Sequence, residues 1–421
     1  MSHNNVIIVG AGIAGLAAAQ FLKKQGLHPI LLEARSRYGG RIEVDAILRA
    51  PIGRGASWLH GQQNNPLLPL IGKRTQLFSV DTKQFLDRSG RNVANKTVQA
   101  FNYVFEKHLH QAQLTIASKN KDVSLATALS DYIKLLKQGD LVQQDLLERK
   151  LKFFENYIGA EYELISALYW NEEEILGGHV IVEDAYESCI LMLANGLEIC
   201  LNTIVQKIIE CAGVMEVETN QGTFTADFVI VTVPLGVLKK GPIIFSPELP
   251  IEKRIAIDRL GMGTLNILAM RFPQVFWPID WPMFFTAGSP TCASFINWAY
   301  FIKKPILLGY VGGKLACHLE SLPDEWIIEK TINHFEKIFG QGIVFPENYF
   351  FTHWSSDPWS YGSYSYLPVG ATPKDRETLA APAAKGKLLF AGEATFAKAP
   401  ATVHGAYLSG IREAERVLSM R

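Results

Sequence analysis

Four apolar residues, Val6-Ile7-Ile8-Val9, run directly into Gly10-Ala11-Gly12-Ile13-Ala14-Gly15-Leu16, and Glu33 closes the next apolar run, Ile30-Leu31-Leu32. This arrangement constrains the fold more tightly than any other stretch of the chain. It reads as a buried strand, a tight turn, an alanine-rich helix stopped at Gly26, and a second strand: a β-α-β unit over residues 6 to about 33. In such a unit Gly10 permits the turn, Gly12 lets the backbone approach a pyrophosphate, and Gly15 lets helix and strand pack closely. The first helical N–H groups, among them that of Ala14, then face the diphosphate along the helix dipole. A glutamate at position 33 accepts hydrogen bonds from both hydroxyls of an adenosine ribose and repels a ribose phosphate. An unphosphorylated dinucleotide, FAD or NAD, is therefore expected, and this block does not choose between them.

With 421 residues the chain has length for two domains with sizeable cores. Forty-one basic and 41 acidic residues leave it formally neutral, and no basic block interleaves with aromatics, so nucleic acid is not an expected partner. An aromatic share of 11% suits a protein that shapes a flat, largely apolar cavity. The five cysteines show no CxxC or Cys/His metal spacing, so no metal site is expected and the thiols read as reduced. The first strand starts too early for a signal peptide, no apolar run reaches the roughly 18 residues that span a bilayer, and the chain does not end in Ser-Lys-Leu. These features together predict a cytoplasmic protein without a membrane span.

From about Thr97 to Ile158 the pattern is helical, with Leu125, Leu129, Ile133 and Leu136 at three- and four-residue steps and Asp122 or Ser124 as N-cap. Strand signals return at Thr203–Ile209, Val214–Glu218 and Thr223–Val233, and the run Phe228-Val229-Ile230-Val231 reads as a buried parallel strand stopped by Pro234. Residues 262–380 mix short strands with Pro, Gly and Trp. The end repeats the logic of the beginning: strand Leu388-Leu389-Phe390, turn Gly392-Glu393, helix Val403–Leu418. The expected architecture is α/β: a discontinuous Rossmann-like dinucleotide domain (1–70, 195–262 and 385–421) and an α+β substrate domain (71–194 and 263–384).

Six blocks, in this order, resemble the flavin-dependent amine oxidase family, which includes polyamine oxidases, monoamine oxidases and lysine-specific histone demethylases. They are Val6–Leu16; Leu32-Glu33-Ala34-Arg35 with Gly39-Gly40-Arg41-Ile42; Gly55-Ala56-Ser57-Trp58-Leu59-His60-Gly61; Val231-Thr232-Val233-Pro234-Leu235-Gly236-Val237-Leu238; Asp357-Pro358-Trp359 with Gly362-Ser363-Tyr364-Ser365; and Phe390-Ala391-Gly392-Glu393-Ala394-Thr395 with Val403-His404-Gly405-Ala406. The blocks cover essentially the whole chain. Gly55–Gly61 and Asn65–Leu67 are most similar to the spermine-type polyamine oxidases of plants.

The resemblance implies FAD, held between the two domains. Matched by position, Gly10, Gly12, Gly15, Glu33, Arg35, Gly40 and Arg41 hold the ADP half, and Val205 reads the adenine. Glu393, Thr402, Val403 and Ala406 follow the ribitol and pyrimidine side, where the last helix stabilises negative charge on a reduced flavin. Ala14, Ala34, Gly39, Gly55, Ala56, Ser57, Trp58, Thr232, Pro234 and Gly392 complete the cofactor set, and Trp354 and Trp359 border the flavin. Ser363 stands where monoamine oxidases carry the cysteine bonded to the flavin, and a serine cannot form that thioether; noncovalent FAD is expected.

The same resemblance implies oxidation of an aliphatic amine, a polyamine first: a hydride equivalent passes from the carbon beside nitrogen to flavin N5, the imine hydrolyses, and dioxygen reoxidises the flavin to give peroxide. Tyr364 matches one wall of an aromatic cage, Thr402 the position of the other, and His60 a pocket histidine that accepts a proton or binds a distal amine. Glu161 and Glu163 are candidates for pairing with a second ammonium, or simply part of a solvated acidic stretch that continues into Glu172-Glu173-Glu174. One residue departs from the pattern. Ile267 stands where most of the family has a lysine near N5, so the acceptor is dioxygen, used slowly, or another oxidant. An L-amino-acid oxidase would need an arginine clamp, for which Arg271 and Arg49 are candidates, and a protein that keeps FAD only as a structural element is a third reading. A histone-demethylase role is disfavoured, since no long heptad-patterned arm is present.

Overall fold

The computed structural model describes residues 4–73, 75–80, 83–171, 177–211 and 213–421. Its first sheet is built from three separate parts of the chain. In spatial order the strands are Ile244–Ser246, Val205–Cys211, Val214–Thr219, Gly222–Val231, Asn4–Val9, Pro29–Leu32 and Glu198–Cys200. An eighth, Leu388–Phe390, pairs with the same long strand as Val214–Thr219. That long strand divides its work. Residues 222–226 pair antiparallel with Val214–Thr219, while 229–231 run parallel to Leu388–Phe390.

The parallel core is in strict register: Val9 lies opposite Leu32 on one side and Val231 on the other, and Val231 lies opposite Phe390. The carboxyl ends of these strands therefore finish level, and Gly10, Glu33, Thr232 and Gly392 gather at one edge of the sheet. In an open α/β sheet this is where ligands bind. The residues pointing either way from the strands are apolar and buried, with Val6, Ile7 and Ile8 fully inaccessible, so the sheet is covered on both faces. The expected parallel strand at 228–231 is present in that arrangement.

Helices Ile13–Lys24 and Val403–Ser419 cover one face of the sheet together. Their contact depends on Gly410, where a Cβ would stand 2.1 Å from the carbonyl oxygen of Ala14. Gly410→Val is accordingly expected to force the two helices apart and to cost about 3 kcal/mol of stability, at the upper end of overpacking penalties. Denaturant unfolding checks this, and an unchanged midpoint would show that the helices can slide without loss.

The second sheet is six-stranded, in the order Asn348–Phe351, Leu265–Arg271, Ile306–Gly312, Ser294–Asn297, Met283–Thr286 and Lys83–Leu86. A three-stranded sheet of Trp58–His60, His179–Val182 and Leu77–Ser79 stands near it. Helices Asn95–Lys119, Leu125–Ala128, Ser130–Lys137 and Leu141–Ile158 form the helical layer. The expected periodicity holds in its burial, since Leu125, Leu129, Ile133 and Leu136 are all within 6% of full burial. The backbone, however, breaks at Leu129 into two short helices. Of the two N-cap candidates, Ser124 caps by accepting from Thr127 N, while Asp122 accepts from Leu168 N. No described helix is long and apolar enough to cross a membrane.

Candidate active site

A cavity of about 740 Å³ runs from the carboxyl edge of the first sheet to the face of the second. At the sheet edge the glycine turn is built as its sequence requires. Gly10 has φ +102°, Thr232 Oγ1 donates to the carbonyls of Val9 and Gly10, and Gly12 caps the helix from an extended conformation. A Cβ on Gly12 would meet no protein atom within 4 Å and would project into the cavity. Gly15 works differently: it does not line the cavity, and a Cβ there would lie 2.1 Å from Gly10 O, so it sets the packing of helix on turn. Glu33 is 6% exposed and held by two backbone amides, Ala11 N at 2.7 Å and Arg35 N at 2.9 Å. Its own amide is bonded to Cys200 O, and Thr203 N donates to its carbonyl, which brings Val205 to the same rim. Arg35 pairs with Asp357 at 2.7 Å, next to Trp359.

Further in, Arg41 Nη1 donates to Glu393 Oε1 and to Ser363 O, both at 2.9 Å. The other oxygen of Glu393 accepts from Ser365 Oγ at 2.6 Å and from Ala401 N at 3.1 Å, and Ser365 Oγ in turn accepts from Arg376 Nη1. Burial opposes ionisation of Glu393, but Arg41, Ser365 and Arg376 outweigh it and hold the carboxyl below its ordinary range. Ser363 uses its hydroxyl to clamp Leu265, accepting from its N–H at 2.8 Å and donating to its carbonyl at 3.0 Å. Trp354 is buried, with Nε1 bonded to Arg54 O.

Of the residues expected from sequence to hold a cofactor, all but Gly15 line this one cavity: Gly10, Gly12, Ala14, Glu33, Ala34, Arg35, Gly39, Gly40, Arg41, Gly55, Ala56, Ser57, Trp58, Val205, Thr232, Pro234, Trp354, Trp359, Ser363, Gly392, Glu393, Thr402, Val403 and Ala406. His60 and Tyr364 line it as well. The Tyr364 hydroxyl donates to Asn156 O at 2.8 Å and burial raises its pKa, so the ring presents a neutral face. Thr402 spends its hydroxyl on the backbone, accepting from Gly405 N and donating to Ala399 O, and offers only its methyl group. His60 Nδ1 lies 2.8 Å from His179 Nδ1, and burial, with His179 and His404 nearby, pushes the His60 pKa down to about 3. Both imidazoles cannot be charged at that distance.

Several candidates left open by the sequence do not line the cavity. Glu161 and Glu163 do not line it, and Glu163 is exposed. Glu172-Glu173-Glu174 lies outside the described residues. Arg271 is turned to Leu48 O and Glu347, and Arg49 is exposed, so neither clamps a carboxylate in the cavity. Sequence reasoning missed Arg376, His179, Asn156 and Tyr310, all of which line it. Only Tyr310 carried a usable signal, a phenol inside the otherwise apolar run Ile306–Gly312.

The sequence pattern of the family described as flavin containing amine oxidoreductase matches residues 13–418. The chain belongs to this family. Its relatives in the flavin amine oxidase family include polyamine oxidase 2 of Arabidopsis thaliana, 34% identical over 98% of this chain and 87% of that protein. Polyamine oxidase 4 of Oryza sativa subsp. japonica is 36% identical over 98% and 88%. Lysine-specific histone demethylase 1 homolog 2 of Arabidopsis thaliana is 35% identical over 99% of this chain but only 59% of its own length. A solved putrescine oxidase, a double mutant redesigned in its cofactor binding, has the same fold, with a TM-score of 0.79 at 21% identity over 99% of both chains. The fold is thus that of a flavin amine oxidase, and the family implies a flavin cofactor. The residues present fit one: the open space over Gly12, the amides around Glu33 and the Arg41–Glu393 pair form a continuous cradle along one cavity.

Proposed function

We propose that this protein is an FAD-dependent oxidase of linear aliphatic amines, with polyamines as the first class to test. The single observation that carries the reading is the continuity of the cavity: one end is the glycine turn with Glu33, and the other is walled by Tyr364, Tyr157, Phe153 and Tyr310. Bound FAD would supply the two-electron acceptor for the hydride equivalent lost from the carbon beside the amine nitrogen, and water would then split the imine into a carbonyl compound and an amine. We assign the ADP half to Gly10, Gly12, Glu33, Arg35, Gly40 and Arg41, with Val205 at the adenine. The pyrimidine end falls to Glu393 and the amino-terminal turn of Val403–Ser419, whose dipole favours negative charge. Ser363 supports noncovalent attachment, because its hydroxyl is committed to Leu265 in both directions. The proposed boundaries of the two domains remain 1–70, 195–262 and 385–421 against 71–194 and 263–384.

The chain's own part in the chemistry is to deliver a neutral amine in a fixed orientation. Stacked Phe153 and Tyr157, 5.6 Å between centroids, with Tyr364 make an apolar wall. Such a wall disfavours an ammonium's full charge while aromatic faces still attract the nitrogen. Thr402 leaves the side facing Tyr364 open, which suits a secondary amine or a long chain. His60, neutral through the physiological range, offers hydrogen bonding rather than charge.

The test is anaerobic mixing of the yellow holoprotein with an amine panel. Spermine and spermidine are expected to bleach the flavin, and L-amino acids are not. Bleaching by amino acids alone would transfer the protein to the amino-acid oxidases. Bleaching by nothing in the panel would leave a protein that binds FAD without oxidising amines. Release of intact FAD on heat denaturation checks the noncovalent attachment.

A further inference from the structure

The second sheet supplies the floor of the cavity, and its register fixes what stands where. Ile267 lies opposite Tyr310, Tyr310 opposite Ser294, Ser294 opposite Phe285, and Phe285 opposite Phe85. Side chains two residues apart on a strand share a face, so Lys83, which lies opposite Met283, is on the same face as this row. Leu265, Ile267, Tyr310, Ser294, Met283 and Lys83 all line the cavity. The nucleotide side meets this floor at Leu265, through the Ser363 clamp and Arg41. Lys83 is on the sixth strand, four strand spacings from Leu265–Arg271. At about 4.8 Å per spacing the two ends of the floor are about 19 Å apart.

The far end is rich in donors. Lys83 and His179 are both exposed residues of the cavity lining; partial burial, and after it the charge of Lys83, disfavour protonation of His179, which is paired with His60. A neutral imidazole has one N–H, so whichever Nδ1 carries the shared proton, the other ring must hold its own on Nε2. The cavity lining therefore offers an imidazole N–H as well as the Lys83 ammonium. Among the described lining residues the carboxylates are Glu33 and Glu393, both already bonded at the cofactor end.

We infer that the remote end of the preferred substrate is anionic, a carboxylate in the simplest case, and that Lys83 with the His60–His179 pair receives it. An all-ammonium chain of the same length would place a cation against Lys83 and is the poorer substrate. This rests on the amine-oxidase reading and refines its substrate preference: spermine and spermidine still bleach the flavin, but less efficiently than an amine with an anionic remote end.

The experiment compares a linear α,ω-diamine with the ω-amino carboxylate of the same chain length, on the holoprotein and on Lys83→Met and Lys83→Glu. The readouts are kcat/KM for anaerobic flavin reduction and binding seen as a perturbation of the oxidised flavin spectrum. The wild type is expected to favour the amino carboxylate by about tenfold, since Lys83, an exposed ammonium of the cavity lining, attracts an anion and repels a cation held at the same distance. Lys83→Met is expected to abolish the preference and Lys83→Glu to reverse it. Equal use of both compounds, preference for the diamine, or a ratio that Lys83→Glu leaves unmoved would overturn the inference. If no amine reduces the wild-type flavin, the amine-oxidase reading fails by itself, and the binding spectra still decide which remote end the pocket prefers.

Discussion

Arg41→Met is expected to give protein that purifies without flavin and is less stable than the wild type by about 3–5 kcal/mol at neutral pH, the cost of breaking a buried ion pair from one side. Arg41 is the direct partner of Glu393, which is 5% exposed, and it also ties Ser363 O to the same point. Without it the carboxylate keeps Ser365 and, through it, Arg376, but loses its nearest charge. The sign of the pH dependence follows. A carboxyl whose pKa is lowered on folding contributes stability above its ordinary value of 4.5 and loses it as pH falls through the folded value. The gap between wild type and variant is therefore expected at pH 7 and should close in acid. Adding Glu393→Gln to Arg41→Met should recover most of the stability without restoring flavin. Denaturant titrations and the absorbance ratio of the purified proteins measure both effects. A fully yellow Arg41→Met protein of wild-type stability would refute the assignment.

Ile267→Lys is expected to accelerate reoxidation of the reduced protein by dioxygen by tenfold or more, from a slow wild-type rate, the order of gain that one preorganised charge beside a developing anion supplies. Ile267 is 3% exposed and lies beside Tyr310 on the cavity floor. The described cations that line the cavity are engaged or remote. Arg35 and Arg41 are paired with carboxylates, Arg54 with Asp45, and Arg376 bonds Ser365, while Lys83 is four strands away. An isoleucine offers nascent superoxide neither charge nor a held water. Stopped-flow mixing of the reduced protein with buffers of graded oxygen content gives the rate directly. If the wild type already reoxidises as fast as the variant, the lysine is dispensable here and dioxygen is an efficient acceptor after all.

The glycine turn and the acid beside it were legible because they are made of local backbone. A turn that needs Gly10, a helix start that needs Gly12 and an acid at the end of the next strand are written within about thirty residues, and the structure places them together. Roles carried by hydroxyl direction were not legible. Thr402 and Ser363 stand in the cavity as expected, but their hydroxyls are committed to Gly405 and Ala399 and to Leu265, which only the folded backbone reveals. Glu161 and Glu163, which precede Trp170, could be read from sequence either as amine partners or as part of a solvated acidic stretch. The structure leaves them off the cavity wall, since facing depends on how Leu141–Ile158 packs on the second sheet.

By itself the sequence determined the β-α-β unit, the family and which residues gather at the carboxyl edge of the first sheet, because short-range turns and helix starts follow from residue type at fixed spacing. The tertiary structure alone decided what meets across the cavity. His60 finds His179 from 119 positions away, Arg41 finds Glu393 from 352, and Lys83 joins the floor that begins at Leu265 only through the order of six strands. Strand order is set by the packing of whole layers rather than by any local signal, so the chemistry of the substrate end could be read only from the assembled fold.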